Sequence, residues 1–238
     1  MPIDFDVTDK VATIVINRPE ALNSMTQPMY KALSDAWIEV RDNPDIWVAV
    51  VTGAPQPSRP PERQVFTAGA DLRSMNRERG VDQYWQTQKD PILNRGLEVW
   101  KPVVAAVNGL CLAGGMTLLM ATDIRIGSEY SAYDLSEVKR GILPGNGGTQ
   151  RTARQLPYPV AMEVLLAGKR LTAQRAAQWN LPRHTCRPLD RYTGARVSAD
   201  LASYDAEVDD ISTLEDDLPE ELAASCGIAE QLDGDDDL

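Results

Sequence analysis

The chain has 238 residues, of which 43% are hydrophobic, and a formal net charge of −11. This length and composition predict one large globular domain, or a domain with an appendage. The N-terminal stretch is acidic without an apolar run, and no segment reaches the roughly 20 apolar residues of a membrane span, so we expect neither a signal peptide nor membrane insertion.

The first predicted elements alternate between strands and helices. Val11 to Ile16 is an apolar, β-branched run that predicts a strand. After Thr26, a candidate N-cap, apolar residues from Met29 to Val40 recur at helical spacing and predict an amphipathic helix. Trp47 to Thr52 is a continuous apolar run, typical of a strand buried on both faces. Residues 54–63 contain four prolines and predict a surface loop.

The same alternation continues to Leu181. Val103–Val107 and Ile124–Ile126 predict further strands. Helical patterns follow in four places, at Met116–Ala121, Thr149–Leu156, Val160–Leu166 and Thr172–Trp179. Together these elements predict an α/β fold with parallel strand pairing.

Beyond Leu181 the sequence changes character. Residues 182–196 are rich in Arg, Pro and Thr, and residues 205–238 contain 9 Asp and 5 Glu but no Lys or Arg. We therefore predict a core domain at 1–181 and a divergent, acidic, partly disordered segment at 182–238. The other 204 residues carry +3, because 24 Lys and Arg face the 21 remaining acids. A mildly basic body suits an anionic ligand such as a nucleotide or CoA, whereas no basic and aromatic cluster indicates nucleic-acid binding.

Cysteine and histidine are too scarce for several common kinds of site. Cys111, Cys186 and Cys226 are odd in number and widely spaced, which fits a reducing cytoplasm rather than a disulfide framework or zinc site. The single histidine, His184, excludes a His-rich metal site and any Ser-His-Asp triad that does not use it. We expect no metal, and we expect His184 to be exposed in an irregular segment.

Three segments combine small residues with candidate polar groups: Val65–Met75, Asn108–Asp123 and Leu135–Arg151. In the second, Gly114 and Gly115 precede a predicted helix and leave backbone N–H groups free. Two such loops would let two N–H groups converge on one oxygen, forming an oxyanion hole in which each donor contributes roughly 3–4 kcal/mol. A plain turn or close packing is the alternative at each loop.

These three segments, in this order and spacing, resemble the crotonase family of enoyl-CoA hydratases and isomerases. NRPEALN at 17–23, KPVVAAVNG at 101–109 and LTAQRAAQWNL at 171–181 add to the resemblance, which covers Ile3 to Leu181. It implies an α/β fold with a spiral core of ββα turns, to which this chain adds the irregular acidic tail. It also implies an acyl-CoA thioester as substrate, stabilisation of its enolate, no separate cofactor, and assembly into homotrimers or hexamers.

The resemblance also implies roles for individual residues. The oxyanion-hole donors match the N–H groups of Ala70 and Gly114, and the acid/base matches Glu137, although a surface glutamate is the plain alternative. Thr117 stands where hydratases have a second glutamate. Substrate and CoA contacts match Arg18, Ala21, Leu22, Ala68, Gly69, Asp71, Leu72, Arg73 and Pro144.

Thr117 is the first departure from the family pattern. A hydroxyl can hold water, but it is a poor base near neutral pH. Glu137 alone can still move a proton between carbons, as in relatives similar to Δ3,Δ2-enoyl-CoA isomerases. Hydratase-lyases acting on aromatic acyl-CoAs also tend to lack the first glutamate, so hydratase, isomerase and lyase all stay open.

The second departure follows Leu181. In the family, a strand and helices there cover the acyl pocket and build the trimer interface, whereas this chain has PRHTCRPLDRYTG at 182–194. We hypothesise a reading-frame change at this point. The leading interpretation is an enzyme, and the alternatives are a catalytically impaired CoA-binding or assembly homologue, or an interaction module that uses the acidic tail.

Overall fold

Two β-sheets with helices packed beside them make up the fold, given by a computed structural model that describes residues 2–71, 74, 90–182 and 184–186. In chain order the strands are β1 (Ile3–Thr8), β2 (Val11–Ile16), β3 (Val48–Gly53), β4 (Val65–Thr67), β5 (Val103–Val107), β6 (Leu110–Leu112), β7 (Ile124–Ser128), β8 (Ala132–Asp134), β9 (Leu171–Thr172) and β10 (His184–Cys186). The helices are α1 (Gln27–Asp42), α2 (Gly114–Leu119), α3 (Gly148–Gln155), α4 (Tyr158–Ala167) and α5 (Ala173–Gln178), with 3₁₀ turns at Pro19–Ala21, Pro61–Arg63 and Ser136–Arg140.

The larger sheet has the strand order β1-β2-β3-β5-β7-β10. β1 and β2 form an antiparallel hairpin, and every other neighbouring pair is parallel. β3 and β5 are buried along nearly their whole length, as their continuous apolar sequences predict. The prediction of an α/β fold with parallel pairing is confirmed.

The smaller sheet has the order β4-β6-β8-β9 and consists of strands of two or three residues. β6 pairs in parallel with both β4 and β8, and β9 closes the sheet antiparallel to β8. Neither this sheet nor β1 is predicted from the sequence. Both are short or polar, so their apolar pattern alone does not distinguish them from loops.

The predicted helix α1 is confirmed, and it buries one face completely. Met29, Leu33, Trp37 and Val40 are fully inaccessible and join the core beneath the larger sheet. Thr26 does occupy the N-cap position, but its side chain makes no capping hydrogen bond. The apolar stripe, rather than the cap, therefore fixes this helix.

Two sequence predictions need correction. His184 lies in β10, which pairs in parallel with β7, so the prediction of an irregular segment there is wrong. The proline-rich loop at 54–63 is not wholly at the surface, because the Gln56 side chain is buried and donates to the carbonyls of Ala54 and Val65. The predicted domain boundary after Leu181 stays a prediction.

Glycines allow the two sheets to touch backbone to backbone. A Cβ on Gly53, at the end of β3, would overlap the carbonyl of Phe66 in β4. A Cβ on Gly109, between β5 and β6, would overlap the carbonyl of Gln64. This close approach sets the position of β4 and hence of the loop that follows it.

None of the helices within the described ranges combines the length and apolar character of a membrane span.

Candidate active site

The loop after β4, residues 68–71, lies against the segment that follows β2. Ala68 N donates to Leu22 O at 3.1 Å, Met25 N donates to Gly69 O at 2.8 Å, and Asp71 N donates to Met25 O at 2.9 Å. The last two bonds form a single parallel bridge between Met25 and Ala70. In a parallel bridge the flanking residues supply the bonds, so the N–H of Ala70 itself points away from Met25.

An ion pair ties the same two segments together. Arg18 Nη1 lies 2.5 Å from Asp71 Oδ2 and 3.2 Å from the carbonyl of Ser24. Asp71 is buried, whereas Arg18 retains some exposure. The Asn23 side chain completes the arrangement, because it accepts from Arg18 N and donates to the carbonyls of Ala54 and Val65. Two of the predicted CoA contacts, Arg18 and Asp71, therefore also hold the loops in place.

The structure brings the two predicted N–H donors side by side. Gly69 has φ +84°, and a Cβ there would lie 2.8 Å from the backbone nitrogen of Gly114. A Cβ on Gly114 would in turn lie 3.5 Å from the backbone nitrogen of Ala70. Among the described residues, no group accepts a hydrogen bond from either N–H. Two neighbouring N–H groups are thus available to an acceptor from outside the chain.

Thr117 lies one turn into α2 and is fully buried. Its Oγ1 donates to Gly114 O at 2.9 Å and accepts from Asn94 Nδ2 at 3.0 Å. Pro144, another predicted contact, approaches the same place: a Cβ on Gly148 would lie 2.8 Å from Thr117 Cγ2 and 2.9 Å from Pro144 Cβ. The sequence analysis missed Asn94, because a single asparagine in a stretch without periodicity gives no signal.

Strand pairing brings Glu137 toward the Gly114 loop. β6 pairs with β8 so that Leu112 faces Asp134, and Ala113 N donates to Asp134 O at 2.9 Å. Glu137 follows Asp134 by three residues, in the 3₁₀ turn at Ser136–Arg140, and Gly114 follows Leu112 by two. The segments that carry Gly114 and Glu137 therefore both begin at the ends of paired strands, β6 and β8.

The environment of Glu137 differs from that of a fully exposed glutamate. The side chain is half-buried, and its Oε2 is buried with no hydrogen-bond partner among the described residues. Burial raises the pKa of Glu137, and the negative charge of Asp134 raises it further, although a backbone hydrogen bond acts in the opposite direction. By contrast, its neighbours Lys139 and Arg140 are exposed.

The other predicted contacts differ in how far they are buried. Ala21 and Ala68 are half-buried, and Leu22 is exposed at the surface. Leu72 and Arg73 lie outside the described residues. The assignment of all these residues to substrate and CoA stays a prediction.

Comparison with known families identifies the family of this chain. The model of the family described as enoyl-CoA hydratase/isomerase matches residues 6–199. This chain belongs to that family. The match continues past Leu181, where the resemblance recognised from motifs ends.

Curated members of the enoyl-CoA hydratase/isomerase family are similar over most of the chain. The (E)-benzylidenesuccinyl-CoA hydratase of Thauera aromatica is 36% identical over 208 residues, 87% of this chain and 75% of the relative. An enoyl-CoA hydratase of Mycobacterium tuberculosis is 32% identical, covering 80% of this chain and 70% of its own. The carnitinyl-CoA dehydratase of Proteus mirabilis is 30% identical, covering 82% and 72%.

Solved structures of the same family share the fold. An enoyl-CoA hydratase from Bacillus anthracis superposes with a TM-score of 0.73 at 27% identity, covering 87% of this chain and 77% of its own. A carnitinyl-CoA hydratase from Mycobacterium avium gives a TM-score of 0.70 at 31% identity, covering 98% and 82%. The predicted crotonase-like fold is confirmed.

Proposed function

We propose that this chain adds water reversibly to a 2-enoyl-CoA thioester, with Glu137 as its acid/base. The observation that carries the proposal is the juxtaposition of two unengaged N–H groups, of Ala70 and Gly114, beside the segment that leads to Glu137. The similarity to proteins named hydratases and dehydratases supports addition and removal of water as the reaction.

The N–H pair is the proposed binding site for the thioester oxygen. When a nucleophile adds to the β-carbon of a 2-enoyl thioester, negative charge moves onto this oxygen and forms an enolate. Two backbone donors fixed before the reaction stabilise that charge without reorganising, and each such donor is worth roughly 3–4 kcal/mol in comparable sites. A Cβ on Gly69 would lie 2.8 Å from the Gly114 nitrogen, so a glycine at position 69 lets the two loops approach this closely.

Glu137 is the proposed carrier of the proton. Its carboxylate takes one proton from water as the water oxygen bonds to the β-carbon, and the enolate forms. The carboxylic acid then delivers that proton to the α-carbon, the enolate collapses to the thioester, and Glu137 is a carboxylate again. One group suffices for both transfers, and a pKa raised by burial brings it closer to the working pH.

Thr117 does not take part in this proposal as an acid or base. Its hydroxyl hydrogen is directed at the carbonyl of Gly114, and its oxygen accepts from Asn94. A single carboxylate also suits double-bond isomerisation, in which Glu137 would remove a proton from the α-carbon of a 3-enoyl-CoA and return it to the γ-carbon. Isomerisation is therefore the second candidate reaction.

For the substrate we propose a 2-enoyl-CoA that carries an aromatic substituent. The support is the similarity to a relative named (E)-benzylidenesuccinyl-CoA hydratase, at 36% identity. The CoA part would lie along the segments 18–22 and 68–71, which the backbone bonds hold together. CoA enters as part of the substrate, with no separate cofactor. A homo-oligomer and a cytoplasmic location stay predictions.

The test incubates the protein with a panel of 2-enoyl- and 3-enoyl-CoAs, both aliphatic and aryl-substituted. The measurement is the loss or gain of absorbance of the conjugated enoyl thioester. We expect wild-type protein to hydrate the aryl-substituted 2-enoyl-CoA, and Glu137→Gln to lower kcat at least about 1,000-fold while binding saturated acyl-CoA normally. Glu62→Gln is the matched control, because Glu62 is an exposed glutamate in the 54–63 loop.

Other outcomes discriminate between the alternatives. Turnover of 3-enoyl-CoAs alone would assign the protein as an isomerase. Binding of CoA thioesters without turnover would identify an inactive CoA-binding homologue, and the lack of any binding would leave an interaction module. Full activity in Glu137→Gln would reject the assigned acid/base.

A further inference from the structure

Asn94 is a buried polar residue that the proposed reaction leaves unused. Only 5% of its surface is exposed, and its Nδ2 donates to Thr117 Oγ1 at 3.0 Å. Its Oδ1 is also buried, and no described group donates a hydrogen bond to it. A buried amide oxygen without a donor is costly, so it calls for a ligand or water that supplies one.

The surroundings place Asn94 at the site rather than elsewhere in the core. Thr117, which Asn94 binds, is itself bonded to the carbonyl of Gly114, so a chain of hydrogen bonds leads from Asn94 to the proposed donor loop. A Cβ on Gly114 would lie 3.3 Å from the hydroxyl oxygen of Tyr30, so α1 borders the same point. The carbonyl of Pro91 accepts from Ser34 in α1, which anchors the segment that carries Asn94.

We propose that Asn94 Oδ1 accepts a hydrogen bond from the β-hydroxyl of a 3-hydroxyacyl-CoA, the oxygen that the water supplies. This inference rests on the proposed function. The two polar atoms of the amide share one carbon, so Oδ1 lies next to the nitrogen that binds the Thr117 hydroxyl. Thr117 thereby becomes a positioning residue: it orients the amide and cannot itself bind the hydroxyl as a donor, because its hydrogen is engaged.

The assignment predicts that the site distinguishes a 3-hydroxyacyl thioester from the saturated acyl thioester. A site built to accept from a hydroxyl discriminates against a ligand that lacks it, because the buried acceptor is then left unpaired. Wild-type protein should therefore bind a 3-hydroxyacyl-CoA about tenfold or more tightly than the saturated acyl-CoA of the same length. This preference is a binding property and does not depend on turnover.

The experiment measures both dissociation constants by calorimetry for wild type and three variants. In Asn94→Leu, which removes the acceptor, the preference should fall to about onefold. In Asn94→Asp, which keeps an acceptor oxygen but loses the Nδ2 donor to Thr117, it should persist. Asn108→Leu is the matched control, since Asn108 is also buried and also has an Oδ1 without a described donor, but its Nδ2 donates to Gly53 O in the larger sheet.

The result that overturns the inference is a wild type that binds both thioesters equally, or a preference that survives Asn94→Leu. Should the leucine variant fail to fold, Asn94→Ala replaces it: a preference that survives there overturns the inference, and its loss beside a wild-type preference supports it. A failure of this inference can be distinguished from a failure of the proposed function. Equal binding of both thioesters with normal hydration rejects only the role of Asn94, whereas no binding of any CoA thioester rejects both.

Discussion

Glu137 combines a half-buried side chain with a buried oxygen, Oε2, that has no hydrogen-bond partner among the described residues. A charged carboxylate in such a place is less stable than in water, so burial favours its protonated form. The same environment raises the pKa of Glu137, which is the direction that the proposed proton carrier requires.

A pH profile tests this directly. The pKa of Glu137 is raised above its ordinary value of about 4.5, mainly by burial. Because the proposed mechanism starts from the carboxylate, kcat/KM should fall as the pH drops, with a midpoint above 4.5. The measurement is kcat/KM between pH 4 and pH 8, corrected by the dissociation constant of a saturated acyl-CoA over the same range. An acid limb centred at or below 4.5 would contradict the assignment.

Residue-level features differ in how far the sequence predicts them. Ala70, Gly114 and Glu137 stand in motifs rich in glycine and charge, and resemblance to a family singles them out. Asn94 stands in no motif, and its importance depends on a contact with Thr117, 23 residues further along the chain. Only the folded chain brings that pair together, so no local pattern could have revealed it.

At the level of elements, length decides what the sequence can predict. β2, β3 and α1 have six or more residues and continuous or periodic apolar patterns, so their sequences define them. β4, β6 and β9 have two or three residues, and pairing with distant partners creates them. The smaller sheet carries the loops of the site, so the part of the fold nearest the chemistry was the least predictable.

Gly109 joins the elements of the two sheets, and its replacement should separate them. A Cβ there would overlap the Gln64 carbonyl, which also accepts from Leu110 N at 2.9 Å. We expect Gly109→Ala to lower the free energy of unfolding by about 3 kcal/mol or more, since backbone rather than a flexible side chain must move. Urea denaturation followed by tryptophan fluorescence measures this loss.

The control for this change is Gly96→Ala. Within the part of the chain that the structure describes, no atom lies within 4 Å of a Cβ on Gly96, so the strain of its φ of +80° remains, at about 1 kcal/mol. If both variants unfold at the same urea concentration, backbone contact at Gly109 does not hold the sheets together.

At the scale of the whole molecule, charge is unevenly distributed along the chain. The formal net charge of the protein is −11. Residues 205–238 carry −14, and residues 1–204 carry +3. CoA carries several phosphate charges, so its approach depends on the sign of the protein's field. If the proposed function holds, the acidic residues should oppose binding of CoA thioesters at low ionic strength, where the screening length reaches about 30 Å at 0.01 M.

Ending the chain after Tyr204 should therefore tighten CoA-thioester binding several-fold at about 0.01 M salt. The gain should disappear near 1 M, where the screening length falls to about 3 Å. Calorimetry on both proteins across this range measures the effect, and their melting temperatures check that the shortened chain is folded.

A pantetheine thioester with the same acyl group is the matched control. It lacks the phosphates, so both proteins should bind it equally at every salt concentration. If the shortened protein gains affinity for the uncharged thioester as well, the tail acts by obstructing the site and not through its charge, because charge repulsion cannot act on a ligand without charge.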